Sequence, residues 1–151
     1  MSDARLAPFP FAPERELAHF AEGLTEEGAL VSFVGIARPA SKDGKPVTRL
    51  FLDHHPRLTQ RSLDQIAAAA RACFDVSAVR IVHRCGDVHP GEPIVFAAAA
   101  SRHRRAAFEA ADYMMDRLKS EAFFWKREDG PDGSTWIEPT DEDRRDLTRW
   151  S

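Results

Sequence analysis

Lys119-Ser120-Glu121-Ala122-Phe123-Phe124-Trp125-Lys126-Arg127-Glu128 sets two lysines around a run of aromatic residues. Burying an unpaired ammonium is costly, and a solvated surface rarely carries such a run of aromatics. The combination points to a dry pocket with cationic walls, suited to a small anion. A lysine desolvated beside other cations loses proton affinity and becomes available as base or nucleophile. Lys119 closes a predicted helix, where a cation also complements the dipole. Lys126 has no such structural excuse. Upstream, Arg102-His103-Arg104-Arg105 places a second basic cluster at the start of the same predicted helix. Free backbone N–H groups and the positive dipole end favour an anion there. The cations themselves oppose the dipole, which hints at function over a plain solvated patch. Arg38 ends an apolar strand at a loop, a common site position and equally a common polar boundary.

Other chemistries find less support. His19, His54, His55, His83, His89 and His103 form no HExxH or comparable ligand spacing, so no metal and no cofactor is expected. Cys73 and Cys85 form neither a CxxC nor a zinc pattern. Cys85 follows an apolar strand and reads as a buried, inert thiol. A reduced, cytoplasmic setting fits such cysteines. With 21 basic and 24 acidic residues the net charge is -3, so any anion site is local and no nucleic-acid binding is expected. No apolar run approaches the ~18 residues of a membrane span, and the first residues lack the basic-then-apolar order of a secretory signal.

The length of 151 residues suggests one domain over 1–151, with a core at about 28–138 and a charged tail at 139–151. Pro13 opens a short helix carrying Leu17, Phe20 and Leu24. Strands are expected at Gly28–Arg38 and Val47–His55, separated by a polar loop. Thr59–Phe74 reads as a helix with Leu63, Ile66, Ala70 and Cys73 on one face. A strand at Ala78–Arg84, a turn at Asp87–Gly91 and an apolar strand at Ile94–Ala100 come next. Ser101 is placed to cap the next helix, which runs to about Lys119. Phe123–Arg127 and Ser134–Glu138 then form a hairpin across a Gly/Pro-rich turn. The order α-β-β-α-β-β-α-β-β describes an α+β fold, with helices packed on a mixed, mainly antiparallel sheet.

Several stretches resemble one family. Phe33-Val34-Gly35, Arg38 and Asp53-His54-His55-Pro56 match its early landmarks. His83-Arg84-Cys85-Gly86-Asp87-Val88-His89-Pro90-Gly91-Glu92 resembles its central strand-turn-strand. Ser101-Arg102-His103-Arg104, Phe108-Glu109 and Lys119 through Glu128 resemble its third helix and the next strand. From about Gly28 to Glu138 the chain is similar to the large, catalytic subunits of molybdopterin synthase. Departures from the family pattern are Ile36-Ala37 before Arg38, His55 for a common Tyr, Phe123 for a common Pro, and Thr140 for a further basic residue.

The resemblance implies an α/β hammerhead-type fold with an additional small β subdomain. It implies a homodimer within a heterotetramer. The partner would be a small ubiquitin-like sulfur-carrier subunit with a C-terminal Gly-Gly thiocarboxylate. That tail would deliver sulfur to cyclic pyranopterin monophosphate, making the dithiolene of molybdopterin in molybdenum cofactor biosynthesis. Arg38, His103 and Arg104 would hold the substrate's anionic parts; Lys119 and Lys126 would be catalytic. The alternative is a non-catalytic scaffold binding a small ubiquitin-like protein or an anionic metabolite. The helix length then matters. On an unbroken helix Arg104 and Lys119 lie roughly 22 Å apart at ~1.5 Å per residue, too far to meet on one pterin. A shared site is therefore expected, with Lys119 and Lys126 from one copy and His103 and Arg104 from the other.

Overall fold

A computed structural model describes residues 2–150. In chain order the elements are β1 (Ala4–Ala7), α1 (Pro13–Glu22), β2 (Ala29–Ile36), β3 (Arg49–His54), α2 (Pro56–Cys73) and β4 (Ala78–Arg84). They continue as β5 (Gly86–Val88), β6 (Pro93–Ser101), α3 (Arg104–Glu121), β7 (Phe124–Gly130), β8 (Gly133–Ile137) and α4 (Asp141–Thr148). The strands form two four-stranded sheets, ordered β1-β4-β6-β2 and β5-β3-β7-β8. Only the β1–β4 pair is parallel among the pairings of the described residues. The α+β expectation holds, with the small β subdomain realised as the second sheet.

The first sheet is a middle layer. Along β6, Phe96, Ala98 and Ala100 face α1, where Phe20 is buried and Leu17 and Leu24 pack beside it. The alternate residues Val95, Ala97 and Ala99 join Leu63, Ile66 and Ala70 of α2 and Ala110, Met114 and Leu118 of α3. The period-2 alternation of a strand thus serves both layers, and the alanine run lets the helices approach closely. Cys73 leaves this face and is exposed, because ten residues beyond Leu63 the helix has turned away from the core.

Three elements depart from the sequence reading. Residues 4–7 form β1 although the nearby prolines suggest only a stiff lead-in; the strand ends just before Pro8. Gly86–Val88 is a short strand rather than the start of a turn, because it borrows pairing from β3. The charged tail contains α4, started by a capping box in which Thr140 and Asp143 bond each other's backbone N–H. Beyond α4, Trp150 donates Nε1–H to Asp116 Oδ2 at 2.7 Å and meets Phe74 and Tyr113 edge-on. Arg149 also bonds Asp116, so the tail is docked on α3.

The two sheets meet at His83-Arg84-Cys85-Gly86. The chain passes from β4 into β5 through Cys85 and bends at Gly86, whose φ of +82° suits a residue without Cβ. Arg84 is buried at this junction, donating Nε–H to Ala7 O at 3.2 Å and Nη2–H to Asp87 O at 2.7 Å.

Candidate active site

Strand register decides which functional side chains can meet. His83 pairs with Val95, and Ile36 with Pro93, so the ends of β4 and β2 lie together at the start of β6. Ala29 pairs with Ser101 at the opposite end of the sheet. Because α3 starts immediately after β6, its N-terminus belongs to the Ser101 end. The helix then runs back along the sheet and delivers Lys119 to the His83 end.

Lys126 comes to the same place from the second sheet. It lies opposite Leu52 of β3 and Ile137 of β8. Directly opposed residues share a face, and Leu52 is fully buried with Val88 and Ala37. Phe124 and Lys126 therefore face inward, while Trp125 and Arg127 face outward. Arg127 stacks over Phe51 at 4.7 Å and Trp136 at 5.4 Å on that outer face. The expected aromatic pocket wall is corrected accordingly. Trp125 is 49% exposed and Phe123 39%, and they meet each other edge-on at 4.9 Å. Only Phe124 turns toward the lysines, because consecutive strand residues alternate.

Electrostatics tie the cluster together. Burial first, then the charge of Lys119, push the Lys126 ammonium down to about 8, with Asp143 of α4 partly offsetting them. Burial also drives His83 down to about 3, reinforced by the charges of Lys126 and Lys119. Hence Lys119, Lys126, His83 and Asp143 share one electrostatic neighbourhood. Lys119 itself is exposed and Lys126 half-buried, so the pair combines a partly desolvated amine with one open to solvent. Arg38 lies two residues past β2 at the same end of the sheet, exposed, and next to Ala37, whose N–H donates to Glu92 O at 2.9 Å.

His103 and Arg104 are not brought to this cluster. His103 is the N-cap residue of α3 and Arg104 its first helical residue, and the helix runs unbroken for 18 residues. Ser101 does not cap the helix directly; its Oγ accepts from His103 N at 3.3 Å. Arg104 and Arg105 line an open concavity with Phe108, Glu109 and Asp112, all on one face of α3. His83 is the residue that sequence reasoning misses. In the sequence it figures among histidines weighed as metal ligands and as the start of the central strand-turn-strand resemblance, with no role in the site, and the available signal is its place in the apolar strand before Arg84. No group of three or more His, Cys, Asp or Glu among the described residues is arranged to hold a metal ion.

These features invite comparison with known proteins. A family profile described as MoaE protein matches residues 8–121. The chain is 47% identical over 141 residues to a molybdopterin synthase catalytic subunit of Caulobacter vibrioides, covering 93% of this chain and 92% of that protein. The chain belongs to the MoaE family. A solved MoaE protein from Burkholderia ambifaria superimposes with a TM-score of 0.83 at 36% identity, covering 99% of this chain and 98% of that one. A structure of molybdopterin synthase from Staphylococcus aureus gives a TM-score of 0.80 at 28% identity, covering 91% and 98%. The arrangement of helices around two sheets is thus shared with solved MoaE-family chains.

Two expected results arise from this geometry. His83 stays neutral in the fold far below its ordinary value of 6.5. As pH falls from about 6.5 toward about 3, the unfolded chain takes up a proton that the folded ring refuses. Stability should then fall with decreasing pH across that window, by up to about 1.4 kcal/mol per pH unit from this residue. Urea titrations in that range, comparing the parent chain with His83→Phe, check it: the variant's decline should be shallower. The second concerns Cys85, whose thiol is buried and pushed up mainly by that burial. A Cys85→Ser chain should lose about 1 kcal/mol of stability and keep its turnover. Loss of product in a folded variant would contradict this.

Proposed function

We propose that this chain is the catalytic subunit of a molybdopterin synthase. It takes sulfur from the thiocarboxylated C-terminal Gly-Gly of a small ubiquitin-like partner. It transfers that sulfur to cyclic pyranopterin monophosphate, forming the dithiolene of molybdopterin. Membership of the MoaE family supports the reading, as does the name of the Caulobacter relative. The observation that carries it is the meeting of Lys119 and Lys126 beside a buried neutral histidine.

The chemistry suits those groups. Opening a cyclic phosphate and adding sulfur develops negative charge on phosphate and leaving oxygens. Fixed cations in a water-poor site stabilise such charge best. The sulfur nucleophile arrives on the partner, so this chain needs no cysteine in the reaction. Lys119, exposed, would orient the thiocarboxylate or move a proton; Lys126, half-buried, would act on the cyclic phosphate; Arg38 would hold an anionic group at the same end of the sheet. Residues 1–151 would act as one domain in the cytoplasm. Among the described residues no helix is long and apolar enough to cross a membrane.

His103 and Arg104 would serve the site of a second copy. β2 is an edge strand with Phe33 and Ile36 exposed, and Phe108 of α3 is exposed as well. Antiparallel contact of two such edges about a twofold axis would set each Arg38 end beside the partner copy's His103 end. An eight-residue strand spans roughly 27 Å at ~3.4 Å per residue, comparable with the ~22 Å from Arg104 to Lys119. The same edge contact therefore closes the gap that the helix opens.

Lys126 gives a pH signature. Its ammonium is the charged form below about 8, so a fixed-cation role predicts turnover falling as pH rises through about 8. Lys126→Arg, which stays charged, should remove that fall even if it lowers the plateau. A profile flat to about pH 10, where an ordinary lysine titrates, would contradict the role. The partner is held through its extended tail, since Gly-Gly is thin enough to enter a narrow channel and pair with backbone. Truncating the Gly-Gly should abolish turnover and weaken binding; unchanged turnover with a tail-less partner would eliminate the mechanism.

A further inference from the structure

His83 stands where the two halves of the lysine cluster are joined. Lys119 rides on α3, which packs against the first sheet; Lys126 belongs to the second. No strand pairing among the described residues connects the two sheets. Their relation near the lysines therefore depends on side-chain contacts and on the chain links Cys85-Gly86, residues 89–92 and, from α3 into β7, Ala122-Phe123. His83, 4% exposed on an inner strand of the first sheet, reaches across and stacks on Phe124 of the second, with ring centroids 4.4 Å apart and planes inclined by 26°. Phe124 is two residues before Lys126 on the same strand face, and packs against the cores of both sheets.

The ring is also fixed chemically. His83 Nδ1 lies 2.8 Å from the carbonyl oxygen of Arg84. A carbonyl only accepts, so Nδ1 carries the proton. The charged groups acting on the ring are Lys126 from β7 and Lys119 from α3, while its strand neighbour Arg84 acts through its backbone carbonyl; Asp143 of α4 acts on Lys126. A protonated ring would add another cation to two lysines, so the neutral ring is the form the site holds. Its Nε2 then carries a lone pair and no charge.

We propose that His83 is a positioning residue for sulfur transfer: its neutral Nδ1–H ring, stacked on Phe124, sets the place of Lys126 relative to Lys119. Removing the ring lets the second sheet shift or admits water beneath Lys126. In either case the amine loses much of the burial that depresses it, rises in proton affinity and leaves its working position. The role in turnover rests on the function proposed above; the effect on Lys126 does not.

The experiment uses the full chain. Lysines are reductively methylated with carbon-13 and the Lys126 resonance, assigned with Lys126→Arg, is titrated by NMR. His83→Ala should raise the Lys126 midpoint by a unit or more. His83→Phe, which restores a stacking ring, should return it toward the parent value. In the assembled enzyme, with thiocarboxylated partner and cyclic pyranopterin monophosphate, His83→Ala should lower kcat by on the order of tenfold to a hundredfold. KM for the partner should stay unchanged, and His83→Phe should recover most of the loss. An unmoved Lys126 midpoint in folded His83→Ala overturns the proposal, as does a folded His83→Phe that fails to restore it. Should His83→Ala not fold, nitrogen-15 NMR of the unmodified chain decides: a ring protonated on Nε2, or titrating near its ordinary value of 6.5, overturns it. If the parent chain makes no product, the functional reading fails, while the Lys126 titration still judges His83.

Discussion

A Lys119→Ala chain is expected to fold and bind its partner while sulfur transfer falls by roughly 10²–10³-fold, the scale of losing one fixed stabiliser of developing charge. Lys119 is exposed near the C-terminal end of α3, so truncation opens no core cavity. Leu118, the buried neighbour that packs the helix, is untouched. The loss should appear in kcat, because binding of the partner tail also draws on contacts elsewhere. Removing Lys119 also removes a charge that depresses Lys126, so the alkaline fall in turnover should move upward in pH in whatever activity remains. Circular dichroism with single-turnover product formation checks both points. Near-normal turnover in the folded variant would remove Lys119 from the chemistry. Lost turnover with intact partner binding separates an enzyme from a scaffold.

The second large effect is recovery. Lys119→Ala and Arg104→Ala are each expected to be inactive alone. Mixed under conditions that exchange subunits, they should regain activity. In a mixed dimer one site holds both substitutions and the other holds neither. Random exchange makes half the dimers mixed, so about a quarter of the parent activity should return. The unbroken α3 is the reason: His103 and Arg104 start it, Lys119 lies in its last turn, and no bend brings them together. No recovery despite demonstrated exchange would defeat the shared site.

Much of the fold is legible in the residues. Apolar spacing marks α1 and α2, because each buries a stripe against the first sheet, and the Ser101 position with the alanines after it marks α3. The Gly/Pro-rich turn marks the β7–β8 hairpin, and the mixed order of elements marks the fold class. The distance from Arg104 to Lys119 needs only the helical rise. The features that escape depend on partners distant in sequence. β1 exists because β4 offers a parallel edge, and β5 because β3 does. Residues 141–148 show no apolar stripe, yet a local capping box starts α4 and Asp116 anchors Trp150 beyond it. The aromatic run reads along the chain as one wall, although strand alternation sends Trp125 to the opposite face from Phe124. His83 stays hidden because a histidine in an apolar strand acquires meaning only from the lysines that two other elements bring to it.

The most direct test is reconstitution. The purified chain is combined with a small partner bearing a C-terminal Gly-Gly thiocarboxylate and with cyclic pyranopterin monophosphate, and dithiolene is assayed. Product should form in proportion to thiocarboxylate consumed, two sulfurs per molybdopterin, and should be absent with the same partner ending in an ordinary carboxylate. Binding of both components by the folded chain without dithiolene would contradict the account and leave a scaffold in its place.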